Sequence, residues 1–204
     1  MTLSDPKRIN TSHRIEPDLL LAAYAAGYFP MAESREGPIR WYSPDPRAII
    51  PLDGFKVSRS LRQTIKKHLY EIKLNVSFEE VMRACTKREE TWISEDIIQS
   101  YLELHTLGYA HSVEVWQGKM LTGGLYGVAL GAAFFGESMF SYVRDASKVA
   151  LVYVVERLHT KNFELLDTQF ITPHLSRFGA KEISRSSYLE LLVKAVNKQR
   201  TFLD

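Results

Sequence analysis

The sequence predicts an α+β fold built around a mixed sheet, and three observations carry that prediction. Residues 110 to 141 hold three strand-patterned runs joined by very short turns, the mark of an antiparallel meander. Directly after them, DASKVALVYVVERLHTKN has the wide apolar face of a helix and FELLDTQF reads as a buried strand, so helix and strand begin to alternate. The apolar fraction of 45% over 204 residues is enough for one large domain, or for a domain of about 150 residues with a smaller attachment.

Residues 1–16 are polar and expected to fray. PDLLLAAYAAGYF then starts a helix at Pro17, a favoured first position, and stops it at Gly27. The stretch PMAESREGPIRWYSPDPRAIIPLDGF carries five of the eight prolines, so little regular structure is expected there. It reads as the junction between a small N-terminal domain, residues 1–45, and a main body, residues 46–204.

From Ser58 the pattern turns periodic. SRSLRQTIKKH reads as a short helix and YEIKLNVS as a strand, and Ser77 with Glu80 has the spacing of a capping box for SFEEVMRACTKR. Ser94 caps SEDIIQSYLELHTLG, which Gly108 ends. The meander is HSVEVWQ, KMLTGGLYGVAL and GAAFFGESMFS. Past FELLDTQF, Thr172 and Pro173 open a brief helix closed by Gly179, AKEISR gives a last strand, and Ser187 with Glu190 is placed to cap the terminal helix.

A meander followed by alternating helix and strand is the order of an N-acetyltransferase-like mixed sheet. Such folds seat the pyrophosphate of coenzyme A on a glycine-rich turn at the start of the helix after the meander. Here that turn is SYVRDASK, which has no glycine, so a coenzyme A donor is disfavoured while acyl transfer as such is not.

Lys and Arg number 26 against 24 Asp and Glu, so any nucleic-acid surface must be local rather than a property of bulk charge. The single cysteine, Cys85, cannot form an internal disulfide and sits in a helical pattern, where it reads as a small buried hydrophobe. No cationic and apolar leader and no apolar run of about 18 residues is evident, so a cytoplasmic protein without a membrane partner is expected.

The run GAAFFGESMF places one carboxylate, Glu137, among glycine, alanine, phenylalanine, methionine and serine. A carboxylate taken from water costs several kcal/mol unless a cation or hydrogen-bond donors meet it. In ELLDTQF, Asp167 and Gln169 stand two apart and so share a strand face. With one crossover helix between their strands, Glu137, Asp167 and Gln169 can share a cleft suited to binding an ammonium group, removing its proton and orienting the amine. The other reading stays open beside it: buried carboxylates are commonly paired with an Arg or capped by backbone amides.

Trp41, Tyr42, Trp92 and Tyr101 form an aromatic set whose alternative reading is core packing. Arg59, Arg62 and Lys66, with Lys67 beside them, make a cationic stripe on one helix, either a solvated face or a hold for a phosphate backbone. His105, His111 and His174 lack a third ligand at metal spacing and read as structural or surface residues.

In order along residues 18 to 192, GYFPM, WYSPDPRAIIP, SRSLR, TWIS, YLELHTLGYAHSVEVW, GGLYGVALG, FFGESMFS, DASKVAL and LLDTQF together resemble the leucyl/phenylalanyl-tRNA-protein transferase family. The resemblance implies an N-acetyltransferase-like core with a small N-terminal domain. It implies transfer of leucine or phenylalanine, less readily methionine, from aminoacyl-tRNA to the N-terminal amine of proteins beginning with Arg or Lys, which marks them for N-degron proteolysis. It implies no metal, ATP or other cofactor.

The resemblance also implies roles. Asp167 and Gln169 match the catalytic pair, in which the carboxylate polarises the amide and helps withdraw a proton from the attacking amine; Glu137 matches the carboxylate that meets the acceptor's N-terminus. Leu125, Phe134, Leu151 and Val154 match the apolar donor pocket. Trp41, Trp92 and Tyr101 match aromatic positions around the aminoacyl-adenosine end, with Tyr42 standing where a second tryptophan is frequent. Arg59, Arg62 and Lys66, extended by Lys67, match the basic patch for the acceptor stem. Val154 replaces an aromatic found in some members, and Gln63 a basic residue, which bears on donor preference and tRNA affinity. The runner-up readings are an acetyltransferase using coenzyme A, the same fold with altered donor or acceptor specificity, and a non-catalytic RNA- or N-degron-binding module.

Overall fold

Local start and stop signals set most element ends. In the computed structural model, which describes residues 14–203, Pro17 opens helix α1 (Pro17–Ala25) and Gly27, at φ +84°, turns the chain out of it. A Cβ at Gly27 would also meet Leu189 at 2.7 Å. Residues 1–13 of the segment expected to fray lie outside the described residues. Its described end is not frayed: Ile15 is buried and its N–H donates to Ser100 Oγ at 2.9 Å.

Ser58 caps α2 (Arg59–Lys66) and Ser94 caps α4 (Glu95–Thr106), each hydroxyl accepting an N–H of the first turn. Two expected caps are not formed. At α3 (Phe78–Cys85) the Ser77 hydroxyl caps nothing; its N–H instead donates to Glu114 Oε1 at 2.8 Å, a tertiary partner replacing the local box. Helix α7 (Arg185–Val196) starts one turn earlier than expected, because Ser184 Oγ accepts the Ser187 N–H at 3.2 Å.

The proline-rich stretch is more regular than expected. Strands β1 (Phe29–Ala32) and β2 (Ile39–Tyr42) pair as an antiparallel hairpin, and β3 (Arg47–Ile49) enters the main sheet. Runs of three and four residues are too short to display an alternation, so tertiary pairing alone reveals them.

The main sheet continues with β4 (Glu71–Leu74), β5 (Ala110–Gln117), β6 (Met120–Leu130), β7 (Ala133–Ser141), β8 (Leu165–Gln169) and β9 (Lys181–Ile183), in the spatial order β4-β5-β6-β7-β8-β3-β9. Strands β5 to β7 form the expected meander. Helix α5 (Ala146–Thr160) then carries the chain over to β8, which lies parallel to β7 with Asp167 opposite Phe135. Strand β3 runs antiparallel between β8 and β9, and the short α6 (Pro173–Ser176) joins β8 to β9.

Both faces of the central strands β5 to β8 are covered by helices, while the edge strands β4 and β9 are partly exposed. Tyr126, Phe135 and Leu165 face helices α1, α3, α4 and α7, whereas their chain neighbours Leu125, Phe134 and Leu166 face α2 and α5. Each such side chain contributes about 1.5–3 kcal/mol of burial. Cys85 is fully buried, and burial pushes its thiol up to about 12, as a small core hydrophobe requires. No helix among the described residues is long and apolar enough to cross a membrane.

Candidate active site

The parallel β7–β8 pair brings the three flagged polar residues together, yet their surroundings differ. Asp167 is fully buried. Arg47 Nε and Nη2 donate to its two oxygens at 3.0 and 2.6 Å, Tyr188 Oη donates at 2.7 Å, and the Gln169 N–H donates at 2.8 Å. Arg47 is equally enclosed, donating also to Gly27 O and lying 4.7 Å and 4.5 Å from the ring centres of Phe29 and Tyr188. Asp167 is therefore a buried carboxylate with an internal arginine as its partner.

Gln169 sits at φ +59°, a conformation that costs an ordinary residue on the order of 1–3 kcal/mol. Asp167 Oδ1, bound to its N–H, helps hold that turn. The turn sends the Gln169 side chain toward Glu137, where Nε2 donates to Oε1 at 3.4 Å.

Glu137 is half-buried. Tyr24 Oη donates to its Oε1 at 2.7 Å and Tyr101 Oη to its Oε2 at 3.3 Å, and the two hydroxyls touch each other. Burial pushes the Glu137 carboxyl from 4.5 up to about 8; the Tyr24 hydrogen bond opposes this, nearby Asp167 adds to it, and the Tyr101 hydrogen bond and Arg47 oppose it. Burial beside Glu137 holds both phenols well above their usual range, so they stay protonated donors.

Glu137 and Gln169 line a cavity of about 250 Å³ with apolar walls that include Leu125, Leu151, Met139 and Trp92. Phe134 and Val154 do not line it; both are fully buried in the core layer that contains Leu125 and Leu151. Tyr101 reaches the site only through Glu137. Trp41 is exposed and lines a larger hollow of about 710 Å³ between the start of α1, the β1–β2 hairpin and the start of α4. That hollow holds none of the three polar residues, so the smaller cavity is the candidate site. Tyr42 is half-buried and stacks on Phe29 at 6.1 Å.

Arg59, Arg62, Lys66 and Lys67 are exposed along and just beyond α2, which docks through buried Leu61 into the core layer beneath α5. No ion pair among the described residues engages them. His105 bonds Ala110 O and stacks on Phe78 at 4.2 Å, and burial pushes His111 down to about 4.

Sequence reasoning did not single out Arg47, Tyr24, Tyr188 or a cavity role for His174. Arg47 had a signal: like Glu137, it is a lone charge beside an apolar run, PRAIIP. His174 lines the cavity together with Tyr126 and Thr168. Their Nε2, Oη and Oγ1 atoms are buried without a hydrogen-bond partner, polar capacity that a bound group can use.

The α+β fold holds an apolar cavity that ends on a carboxylate and a primary amide, a site able to seat an apolar group beside a polar one. Comparison with known proteins makes this specific. A family model described as leucyl/phenylalanyl-tRNA protein transferase matches residues 49–193, and one for the N-terminal domain of the same transferase matches residues 13–45. Curated proteins named leucyl/phenylalanyl-tRNA–protein transferase match along most of their length. The one from Herpetosiphon aurantiacus is 57% identical over 93% of this chain and 98% of its own. Those from a Ruegeria species and Maricaulis maris are 53% and 58% identical, covering 93% and 87% of this chain and 90% and 84% of theirs. The chain belongs to the leucyl/phenylalanyl-tRNA protein transferase family and is a transferase. Among solved structures, L-PGS from Bacillus licheniformis aligns with a TM-score of 0.40 at 14% identity, covering 80% of this chain and 56% of that one.

Proposed function

We propose that this chain moves leucine or phenylalanine, less readily methionine, from aminoacyl-tRNA to the N-terminal α-amine of cytoplasmic proteins beginning with Arg or Lys, marking them for N-degron proteolysis. The observation that carries the reading is the cavity of about 250 Å³, apolar at Leu125 and Leu151 and polar at Glu137 and Gln169. Family membership supports the donor and the class of reaction. The proposed organisation is an N-acetyltransferase-like core over residues 46–204 with a small N-terminal domain over 1–45.

In this reading the donor side chain enters the apolar end and its ester carbonyl lies near Gln169. The acceptor arrives as an ammonium ion. Glu137 pairs with it and takes one proton, the neutral nitrogen attacks the ester carbon, the new C–N bond forms as the bond to the ribose oxygen breaks, and that oxygen leaves as a hydroxyl carrying a proton. Alignment of the two reactants and base assistance of about 100- to 10000-fold are the contributions asked of the protein.

The geometry supports a different division of labour from the one expected for the catalytic pair. The oxygens of Asp167 already accept four protein hydrogen bonds and do not line the cavity. Asp167 accordingly fixes the Gln169 turn, and Glu137 is the proton acceptor. Trp92, which lines the cavity, is proposed to meet the aminoacyl-adenosine end, and Arg59, Arg62, Lys66 and Lys67 the acceptor stem.

The test is direct. Purified protein is incubated with leucyl-tRNA and a peptide beginning with Arg, and the peptide gains one leucine. If no leucine is transferred to Arg or Lys peptides across a range of buffers, the reading is overturned.

A further inference from the structure

Tyr24 lies on α1, far in sequence from the residues around the cavity, and has no exposed surface. Its ring packs on Phe135 with centres 4.7 Å apart. Its hydroxyl contacts two side chains, Tyr101 Oη and Glu137 Oε1, and at 2.7 Å it makes the shortest of the three hydrogen bonds that Glu137 accepts. A buried phenol must spend its proton on some partner. Here the choice is informative.

Two hydroxyl protons serve three oxygen contacts among Tyr24, Tyr101 and Glu137. With Glu137 ionised, Tyr101 donating to Tyr24 and Tyr24 donating to Oε1 form an unbroken chain in which each donor strengthens the next. With Glu137 protonated, that donation loses its charge assistance. The hydroxyl chain therefore favours the carboxylate and opposes the burial that favours the acid.

We propose that Tyr24 is a positioning residue of the transfer reaction, its hydroxyl, backed by Tyr101, fixing the Glu137 carboxyl in place at the cavity and favouring its ionised form against the burial that opposes it. Helix α1 is then part of the active site. The proposal deepens the functional reading above and rests on Glu137 as the group that receives the acceptor amine.

The other titratable groups facing Glu137 do not duplicate this role. Arg47, from β3, is committed to Asp167, and Asp167, from β8, repels the carboxylate. Tyr126 from β6 and Tyr188 from α7 interact with Glu137 through charge but make no hydrogen bond to it; Tyr188 donates to Asp167. Arg88 reaches the neighbouring Ser138 Oγ at 2.7 Å rather than Glu137. Tyr24 is thus the hydroxyl donor to this carboxylate among the described residues, with Tyr101 donating to Tyr24 behind it.

The experiment compares wild-type protein with Tyr24→Phe, which removes one oxygen and keeps the ring. The carbon-13 NMR signal of the Glu137 carboxyl is followed against pH, and kcat/KM for an Arg-initiated peptide is measured over the same range. Loss of the donor moves the Glu137 titration and the rising limb of kcat/KM upward by at least about one pH unit. The rate at pH 7 falls about tenfold or more and recovers at high pH. In a Glu137→Gln background the same Tyr24→Phe change has no further effect on rate. An unmoved Glu137 titration, or a rate loss equal at every pH, overturns the proposal. If wild-type protein transfers no leucine at all, the functional reading falls, and the NMR titration by itself still decides whether Tyr24 controls Glu137.

Discussion

Arg47 and Asp167, 120 positions apart in the chain, meet in a two-pronged ion pair from which both side chains exclude solvent entirely. The pair ties β3, just beyond the hairpin, to β8, the strand that ends on Gln169. Removing one member of a buried pair leaves the other charge without compensation, at a cost of roughly 3–5 kcal/mol. Asp167→Ala is expected to lower unfolding free energy by that order in urea titrations. It is also expected to reduce turnover more than tRNA affinity, because the Gln169 turn loses its anchor. Equal losses in turnover and in tRNA binding at a temperature where the variant is folded would show that Asp167 supports the fold as a whole and not the cleft in particular.

Glu137 makes stability depend on pH in an unusual direction. Its folded carboxyl is pushed from 4.5 to about 8, so the folded chain holds the proton more tightly than the unfolded one. Below about pH 4.5 both states are protonated at this site and the full benefit is present; it is lost as pH rises through about 8. Glu137→Gln cannot ionise and escapes that loss. Its unfolding free energy relative to wild type is expected to grow between pH 5 and pH 8 by an amount on the order of 1–4 kcal/mol, at about 1.4 kcal/mol per unit of pKa shift. Peptide aminoacylation is expected to fall sharply in the same variant. A stability difference that stays flat with pH would mean that Tyr24, Tyr101 and Gln169 compensate the buried charge in full.

How much of this was legible in the chain depends on whether a feature is local or tertiary. The meander, the crossover helix and β8 followed from periodicity, and Pro17, Gly27 and Ser94 marked helix ends correctly because their effects act within one turn. The Ser77 box failed because a partner on β5 took the N–H that the box would have bound locally. Strands β1 to β3 escaped notice because pairing, not propensity, makes them. The lone charge in GAAFFGESMF pointed to Glu137, and the single crossover helix between the strands accounted for Gln169 lying near it. Spacing cannot reveal that Arg47 seals one of the two carboxylates and not the other, since that depends on β3 inserting beside β8.

Leu151, on α5, and Leu125, on β6, wall the apolar part of the cavity. Leu151→Ala removes three carbons from that wall, and the expected change is a shift of kcat/KM toward the larger donor, phenylalanyl-tRNA over leucyl-tRNA, by roughly tenfold. A methylene-sized difference in an apolar pocket corresponds to about 1–3 kcal/mol of discrimination. The variant is also expected to lose on the order of 2–5 kcal/mol of stability, as large-to-small core changes do. Val154→Ala, in the core layer behind the pocket, is the control and should lose stability with little change in donor ratio. Competition assays with the two charged tRNAs give both ratios, and equal shifts in the two variants would remove Leu151 from the donor wall.

Arg59 and Arg62 extend from α2 into solvent with no carboxylate partner among the described residues, so their charges are available to a polyanion. Each phosphate neutralised on a duplex stem contributes about −0.9 to the slope of log affinity against log salt. Replacing both arginines by alanine is expected to reduce the magnitude of that slope for tRNA binding by roughly 1 to 2 and to weaken binding at low salt. The cleft lies elsewhere, so kcat at saturating tRNA should be preserved and the thermal midpoint should hold, surface changes of this kind being worth about 0.5 kcal/mol or less. Binding titrations at several salt concentrations measure the slope. If it is unchanged in the double variant, the stripe is a solvated helix face and the acceptor stem is held by other cations.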